Sequence, residues 1–177
     1  MPFLATQWLN HYLQPTMTVF EYGSAASTIF MAQRARHLVT VEHDRQWHAN
    51  VSEALARLHI MNCAYHFRPP SPECVLQEDP SEQENPGVSF DAYTGLIDMY
   101  PDRFCYLEVV DGRARAVCVA RALPKLKAGG YLLLDNSNHD KVSACLPLMQ
   151  AYERTDLHGL VPGWPPGGWT TSVWRIA

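Results

Sequence analysis

Four carboxylates in this chain stand where an apolar run stops. Glu21 follows Thr18-Val19-Phe20, Glu42 follows Leu38 to Val41, Asp111 follows Phe104 to Val110, and Asp135-Asn136 follows Tyr131 to Leu134. Such groups can accept hydrogen bonds from a diol, balance a cation or take a proton from a nucleophile. Any one of them can also simply cap the helix that follows. Four along one rim are harder to explain by capping alone. Glu42 comes 19 residues after Gly23, a spacing that places an acid to accept hydrogen bonds from a ribose. The stretch Glu21-Tyr22-Gly23-Ser24-Ala25-Ala26-Ser27-Thr28 reads as a strand end, a small-residue turn and a helix start. Gly23 makes the turn tight, Ser24 to Ala26 keep side chains clear of a ligand, and Ser27 or Thr28 caps the helix. Together these residues read as a nucleoside site.

The elements that must hold them alternate. A helix is expected over Phe3 to Leu13, covering a sheet edge and stopped by Pro15. Strands are expected at Thr18–Tyr22, Leu38–Glu42, Asn62–Phe67, Phe104–Val110 and Tyr131–Leu134. Helices are expected at Ser27–Arg36, Arg45–Leu58 (N-capped by Asp44), Phe90–Met99 and Arg113–Leu123. Lys127 to Gly130 reads as a turn, and the segment up to Arg154 as a helix that Pro147 kinks or splits. Strands near Leu157–Val161 and Trp169–Ile176 close the chain as an antiparallel pair. Arg68 to Gly87, with five prolines and five acidic residues, reads as a long surface loop or lid on the ligand side of the sheet. The pattern predicts one α/β domain over residues 1–177: a Rossmann-like, doubly wound, mostly parallel seven-stranded sheet whose last strand is antiparallel.

Bulk properties narrow the classes. A chain of 177 residues, 47% hydrophobic and 18% charged, suits a single globular domain. No apolar run approaches the roughly 18 residues of a membrane span, and the first residues do not read as a secretory signal. A net charge of −4 argues against a nucleic-acid duplex as partner. Five scattered cysteines without C-x-x-C read as reduced core filler in a cytoplasmic protein. The histidines show no zinc-ligand spacing.

The Glu21-x-Gly23-Ser24-Ala25-x-Ser27-Thr28 pattern resembles motif I of class I methyltransferases that use S-adenosylmethionine. Phe104 to Arg115 and Leu126 to Asn136 resemble the fourth and fifth motifs of that family. The Val110-Asp111-Gly112-Arg113-Ala114-Arg115 run, with the closing Trp169-to-Trp174 strand, is similar to a small bacterial subgroup. The resemblance implies S-adenosylmethionine as cofactor. Glu21, Gly23, Ser24 and Ala25 would surround its methionine portion, Glu42 would bind the ribose, His43 would lie beside the adenine with Arg68 near, and Asp111 would face the methyl-transfer centre. Ala25 departs from the family's usual glycine. If that position needs positive φ, alanine costs on the order of 1 kcal/mol.

Asp111 with Asp135-Asn136 is also similar to the pattern of cation-dependent O-methyltransferases of the catechol and caffeoyl-coenzyme A type. That likeness implies a site for Mg²⁺ or another divalent cation on these three residues, although Ala114 replaces the lysine those enzymes carry. Arg113 is expected at an acidic acceptor. Arg115 is expected to pair with a carboxylate such as Glu108 or to face solvent. Trp164 and Trp169 either line the acceptor pocket or cover the sheet edge. The expected activity is methyl transfer to a small or medium acceptor, at oxygen. The competing readings are a catalytically inactive cofactor-binding protein and, disfavoured by Glu21 and the missing glycines, a nicotinamide-dependent oxidoreductase. With so short an N-terminus, residues 68–87 or the second subunit of a homodimer must cover the acceptor.

Overall fold

Strands buried on both faces need apolar residues without alternation, and the central runs supply them. In the computed structural model, which describes residues 1–72, 87–163 and 167–177, helix α1 (Phe3–Tyr12) leads into β1 (Thr18–Tyr22), α2 (Ala26–Ala32), β2 (His37–Glu42), α3 (Arg45–Arg57) and β3 (Cys63–Phe67). A two-stranded ribbon of β4 (Ser71–Pro72) and β5 (Val88–Ser89) follows. The expected lid between those strands lies outside the described residues. Next come α4 (Asp91–Thr94) with a 3₁₀ turn (Gly95–Met99), β6 (Cys105–Val110), α5 (Arg115–Ala122), β7 (Leu126–Leu134), α6 (Leu146–Met149), β8 (Glu153–Gly159) and β9 (Trp169–Arg175).

Seven strands form one sheet in the order β3-β2-β1-β6-β7-β9-β8. The first five run parallel, and β9 is antiparallel between β7 and β8. The order reverses beside β1, where β1 and β6 are neighbours with Tyr22 opposite Val110. That reversal opens a crevice at the carboxyl ends of the strands. One core lies on the face of Phe20, Tyr22, Val41, Val110, Leu132 and Trp174, and the other on the face of Val19, Leu38, Val109, Leu133 and Val173.

Several boundaries differ from expectation for local reasons. Helix α2 ends early because residues 33–36 must carry the chain back to the sheet, where the Arg36 and His37 N–H groups both donate to the Met17 carbonyl. Helix α1 packs Leu9 and Leu13 into the second core, so it covers a face of the sheet as well as bordering the edge strand β8. Lys127 to Gly130 belongs to β7 as an irregular start, opposite a register shift between Cys105 and Leu107. Pro147 sits in the first turn of α6, where its missing N–H costs nothing. Strand β8 begins at Glu153 because it pairs with β9 along its whole length. Along α3, Val51 and Leu55 are buried, whereas Trp47 and Leu58 are 46% and 47% exposed. Among the described residues no helix is long and apolar enough to cross a membrane.

Candidate functional site

The turn after β1 is organised from below by Glu21. Its carboxylate is fully buried and accepts hydrogen bonds from Ser27 Oγ at 2.6 Å, Thr28 Oγ1 at 2.6 Å and Thr40 Oγ1 at 2.8 Å. Burial pushes its pKa up to about 7, with the three hydroxyl donors opposing the rise. Thr28 Oγ1 also accepts from the Ala25 N–H at 3.1 Å, so Thr28 does the capping from inside the first turn. Glu21, Ser27 and Thr28 thus brace the turn from behind. Ala25 has φ −164° and ψ −150°, extended backbone that any residue adopts. The strain expected there is absent; positive φ falls on Gly23, at +84°.

Glu42 closes the other side of the turn. It is 2% exposed, and its Oε2 accepts from Ser24 N at 2.9 Å and Ser24 Oγ at 2.8 Å. Its Oε1 accepts from the His43 and Asp44 N–H groups at 2.8 and 2.9 Å. Burial alone would raise its pKa; the His43 ring, whose Nδ1 lies 2.8 Å from Oε1, leads the donors that outweigh burial and hold it at about 2. With the His43 ring beside Oε1, these four donors crowd the lone-pair positions of the carboxylate. Only the Ser24 hydroxyl among them can turn away, and Tyr65 Oη lies 2.6 Å from it as an alternative acceptor. Trp47, from α3, covers this turn by donating its indole N–H to the Ser24 carbonyl. The His43 ring is edge-on to Phe90 and Tyr93, with centroids 5.7 and 5.8 Å away. Arg68 donates its backbone N–H to the Glu42 carbonyl at 2.8 Å.

The third loop lies against the first. The Asp111 N–H donates to the Tyr22 carbonyl at 2.9 Å, and a Cβ on Gly23 would stand 2.8 Å from Gly112 Cα. Arg115 ties this loop to the end of β7. Its guanidinium donates to the Gly112 carbonyl at 2.8 Å, to the Asp135 carbonyl and to Asn136 Oδ1, and lies 3.4 Å from Asp111 Oδ1. Its carboxylate partner is therefore Asp111 and not Glu108. Burial first, then the nearby Asp135 charge, push the Asp111 pKa up to about 7 against the pull of Arg115.

The expected cation site does not form. Asp135 is buried on the other side of the strand end, where Oδ1 accepts from Thr171 Oγ1 and Oδ2 lies 3.2 Å from the Met1 amino group. Strand β7 ends at Leu134, and Asn136 lies just past it with a left-handed φ of +53°. The chain therefore turns between Asp135 and Asn136, and the two side chains have different partners. The space between Asp111 and Asn136 is taken by Arg115, and among the described residues no cluster of His, Cys, Asp or Glu has the geometry to hold a metal. The residues present do not fit a divalent cation.

Two adjoining cavities open along this rim. The larger, about 690 Å³, is lined by Gly23, Ser24, Glu42, His43, Trp47 and Asp111 among others. The smaller, about 370 Å³, is lined by Asn136, Asn138, His139 and Val142. Both share Gly112, Arg113, Arg115 and Trp169 as a common border. The structure thus gathers Gly23, Ser24, Glu42, His43, Asp111, Arg113 and Trp169 around one opening, and leaves Glu21, Ala25, Ser27 and Thr28 out of its lining. Trp164 lies outside the described residues. Sequence reasoning missed Trp47, Tyr65, Arg115, Asn138 and His139. For Asn138 and His139 the signal was present, since both follow the Asp135-Asn136 strand end.

No protein-family model matches the chain, and no curated protein matches it in sequence. Solved structures match it in shape. An rRNA methylase from Streptococcus thermophilus superposes with a TM-score of 0.67 at 13% identity, over 98% of this chain and 95% of that one. A precorrin-6y C5,15-methyltransferase from Geobacter metallireducens gives 0.68 at 11% identity, over 98% and 87%. A candidate methyltransferase from Streptococcus mutans, solved in complex with SAH, gives 0.64 at 12% identity, over 98% and 96%. With the sheet order and the antiparallel β9, these define the fold as that of the Rossmann-like methyltransferases.

Proposed function

We propose that the chain transfers a methyl group from S-adenosylmethionine to a small or medium acceptor, at oxygen. The observation that carries this reading is the pair of cavities meeting at Asp111–Arg115, at the carboxyl ends of the strands in a methyltransferase fold. The larger cavity has the volume of ordinary ligand pockets, roughly 300–1,000 Å³. Its Glu42, Asp44 and Asp111 carboxylates suit a ligand that carries a sulfonium, an ammonium and a ribose diol. The cofactor, when bound, supplies an electrophilic methyl group on sulfur.

The chain's own contribution is positioning and proton transfer. Gly23 and Ser24 keep the turn open beside Glu42, and the Ser24 hydroxyl can move to Tyr65 so that Glu42 takes a ribose hydroxyl instead. Asp111, with its pKa raised to about 7, is matched to accept a proton from an acceptor hydroxyl near neutral pH. Arg115 fixes the Asp111 side chain and restrains the acceptor side of the boundary. Holding donor and acceptor in line supplies much of the acceleration in such a displacement.

Calorimetry with S-adenosylmethionine and with NADH, followed by turnover to S-adenosylhomocysteine on an acceptor library, tests the reading. Tight binding of NADH but not S-adenosylmethionine would replace it with the oxidoreductase. Cofactor binding without turnover on any acceptor would leave a binding protein.

A further inference from the structure

The two cavities differ in electrostatic character. The larger carries three carboxylates, Glu42, Asp44 and Asp111. Among the described residues the smaller has none, although the chain's net charge is −4. Its polar lining comes from Arg113, Arg115, His139, Asn136 and Asn138. The amides are oriented by their neighbours. Asn138 Oδ1 accepts the Thr170 N–H at 3.1 Å, and Asn136 Oδ1 accepts from Arg115 at 3.4 Å. With each oxygen engaged, the remaining end of each side chain is an NH₂ donor. Val142 and Trp169 add an apolar and a flat aromatic surface. A donor-rich, cationic pocket with such walls fits a planar molecule that carries an anion.

Taking the larger cavity as the cofactor cleft, we propose that the smaller one binds a hydroxyaryl carboxylic acid as methyl acceptor. Asn138 and His139 line only the smaller cavity, whereas Gly112, Arg113, Arg115 and Trp169 border both. The acceptor's carboxylate therefore lies toward Asn138 and its hydroxyl toward the shared border and Asp111. In the transfer, the hydroxyl proton passes to the Asp111 carboxylate and the phenolic oxygen pair forms the new bond to the methyl carbon. The carbon–sulfur bond breaks with its electron pair remaining on sulfur, giving a neutral thioether and an aryl methyl ether.

The test compares 4-hydroxybenzoate and 3-hydroxybenzoate with their neutral amides by calorimetry, with and without S-adenosylhomocysteine. Each acid should bind about 10-fold or more tighter than its amide. Asn138→Asp keeps an oxygen for the Thr170 N–H but places a carboxylate in the pocket. It should weaken the acids about 10-fold or more while changing the amides by less than about 2-fold. If that variant does not fold, Arg113→Gln, at an exposed position, should narrow the same acid-to-amide ratio. Equal affinities for acid and amide, no binding of either, a ratio unmoved by both variants, or preferred methylation of an RNA oligonucleotide would overturn the proposal. Failure to bind S-adenosylmethionine would sink the cofactor reading alone, because the comparison without cofactor still reports on the pocket.

Discussion

Gly23 and Gly112 touch backbone to backbone: a Cβ on Gly23 would stand 2.8 Å from both Cα and N of Gly112. The loops after β1 and β6 close on each other only because neither residue has a side chain. At φ +84°, Gly23→Ala meets left-handed strain of about 1–2 kcal/mol and overpacking of about 1–3 kcal/mol. It should lower unfolding stability by several kcal/mol and weaken cofactor binding. A wild-type urea midpoint in Gly23→Ala would show that the loops can separate.

A Cβ on Gly112 would fall 1.9 Å from Tyr93 Oη, and Tyr93 is fully buried. Gly112→Ala should therefore destabilise the fold, and Tyr93→Phe should relieve part of that cost. The expected coupling in a double-mutant cycle is about 1 kcal/mol or more, typical of residues in contact. Additive effects would locate the strain elsewhere in the loop.

The pH dependence of stability should have two limbs. Glu42, held at about 2 from an ordinary 4.5, contributes stability above pH 4.5 that is lost as pH falls toward 2. Glu21, raised from 4.5 to about 7, contributes stability below pH 4.5 that is lost as pH rises toward 7. Asp111, raised from 3.8 to about 7, acts in the same direction as Glu21. At roughly 1.4 kcal/mol per pK unit, each of the three groups contributes on the order of a few kcal/mol, and stability should peak near pH 4–5. Urea titrations from pH 3 to 8 check this, with Glu42→Gln flattening the acid limb and Glu21→Gln the neutral one. A steady rise in stability from pH 4.5 to 7 would contradict it.

The strands and their acidic ends were legible because an apolar run, an acid and a small-residue turn coincide at Glu21 and again in part at Glu42. Lengths were less legible. Nothing in Gln33 to Arg36 forbids helix; the chain leaves it because those residues must reach Met17. Arg115 was hidden for a backbone reason. Ala114 has φ +50°, which redirects the chain as α5 begins, and a spacing argument for a regular helix start cannot see that. The divergence of Asp135 and Asn136 was hidden in the same way, because Asn136 takes φ +53° just past the end of β7, and the resemblance to a cation-binding pattern grouped them together.

Ala25 gives a clean test of the turn. In extended conformation it carries no strain for glycine to relieve, contrary to the expectation from motif I. Ala25→Gly should lower stability by up to about 1 kcal/mol through added unfolded-state freedom and should not improve S-adenosylmethionine affinity. Tighter binding on calorimetry would mean that the bound turn adopts a different backbone.

The last prediction concerns Asp135 and metal. Had Asp111, Asp135 and Asn136 shared a cation, chelator would abolish turnover and Asp135→Ala would remove only the cation response. Here Asp135 instead accepts from Thr171 and faces the Met1 amino group, while Arg115 already fills the space between Asp111 and Asn136. Asp135→Ala leaves a buried hydroxyl without its acceptor, so it should cost about 1–3 kcal/mol of stability with cofactor affinity largely kept. Chelator should change neither the unfolding midpoint nor turnover. Arg115→Met should be the damaging substitution, because it removes the guanidinium that bridges Asp111 and Asn136. Turnover lost in chelator and restored by Mg²⁺, with Asp135→Ala still stable, would return the site to a cation and displace Arg115 from this role.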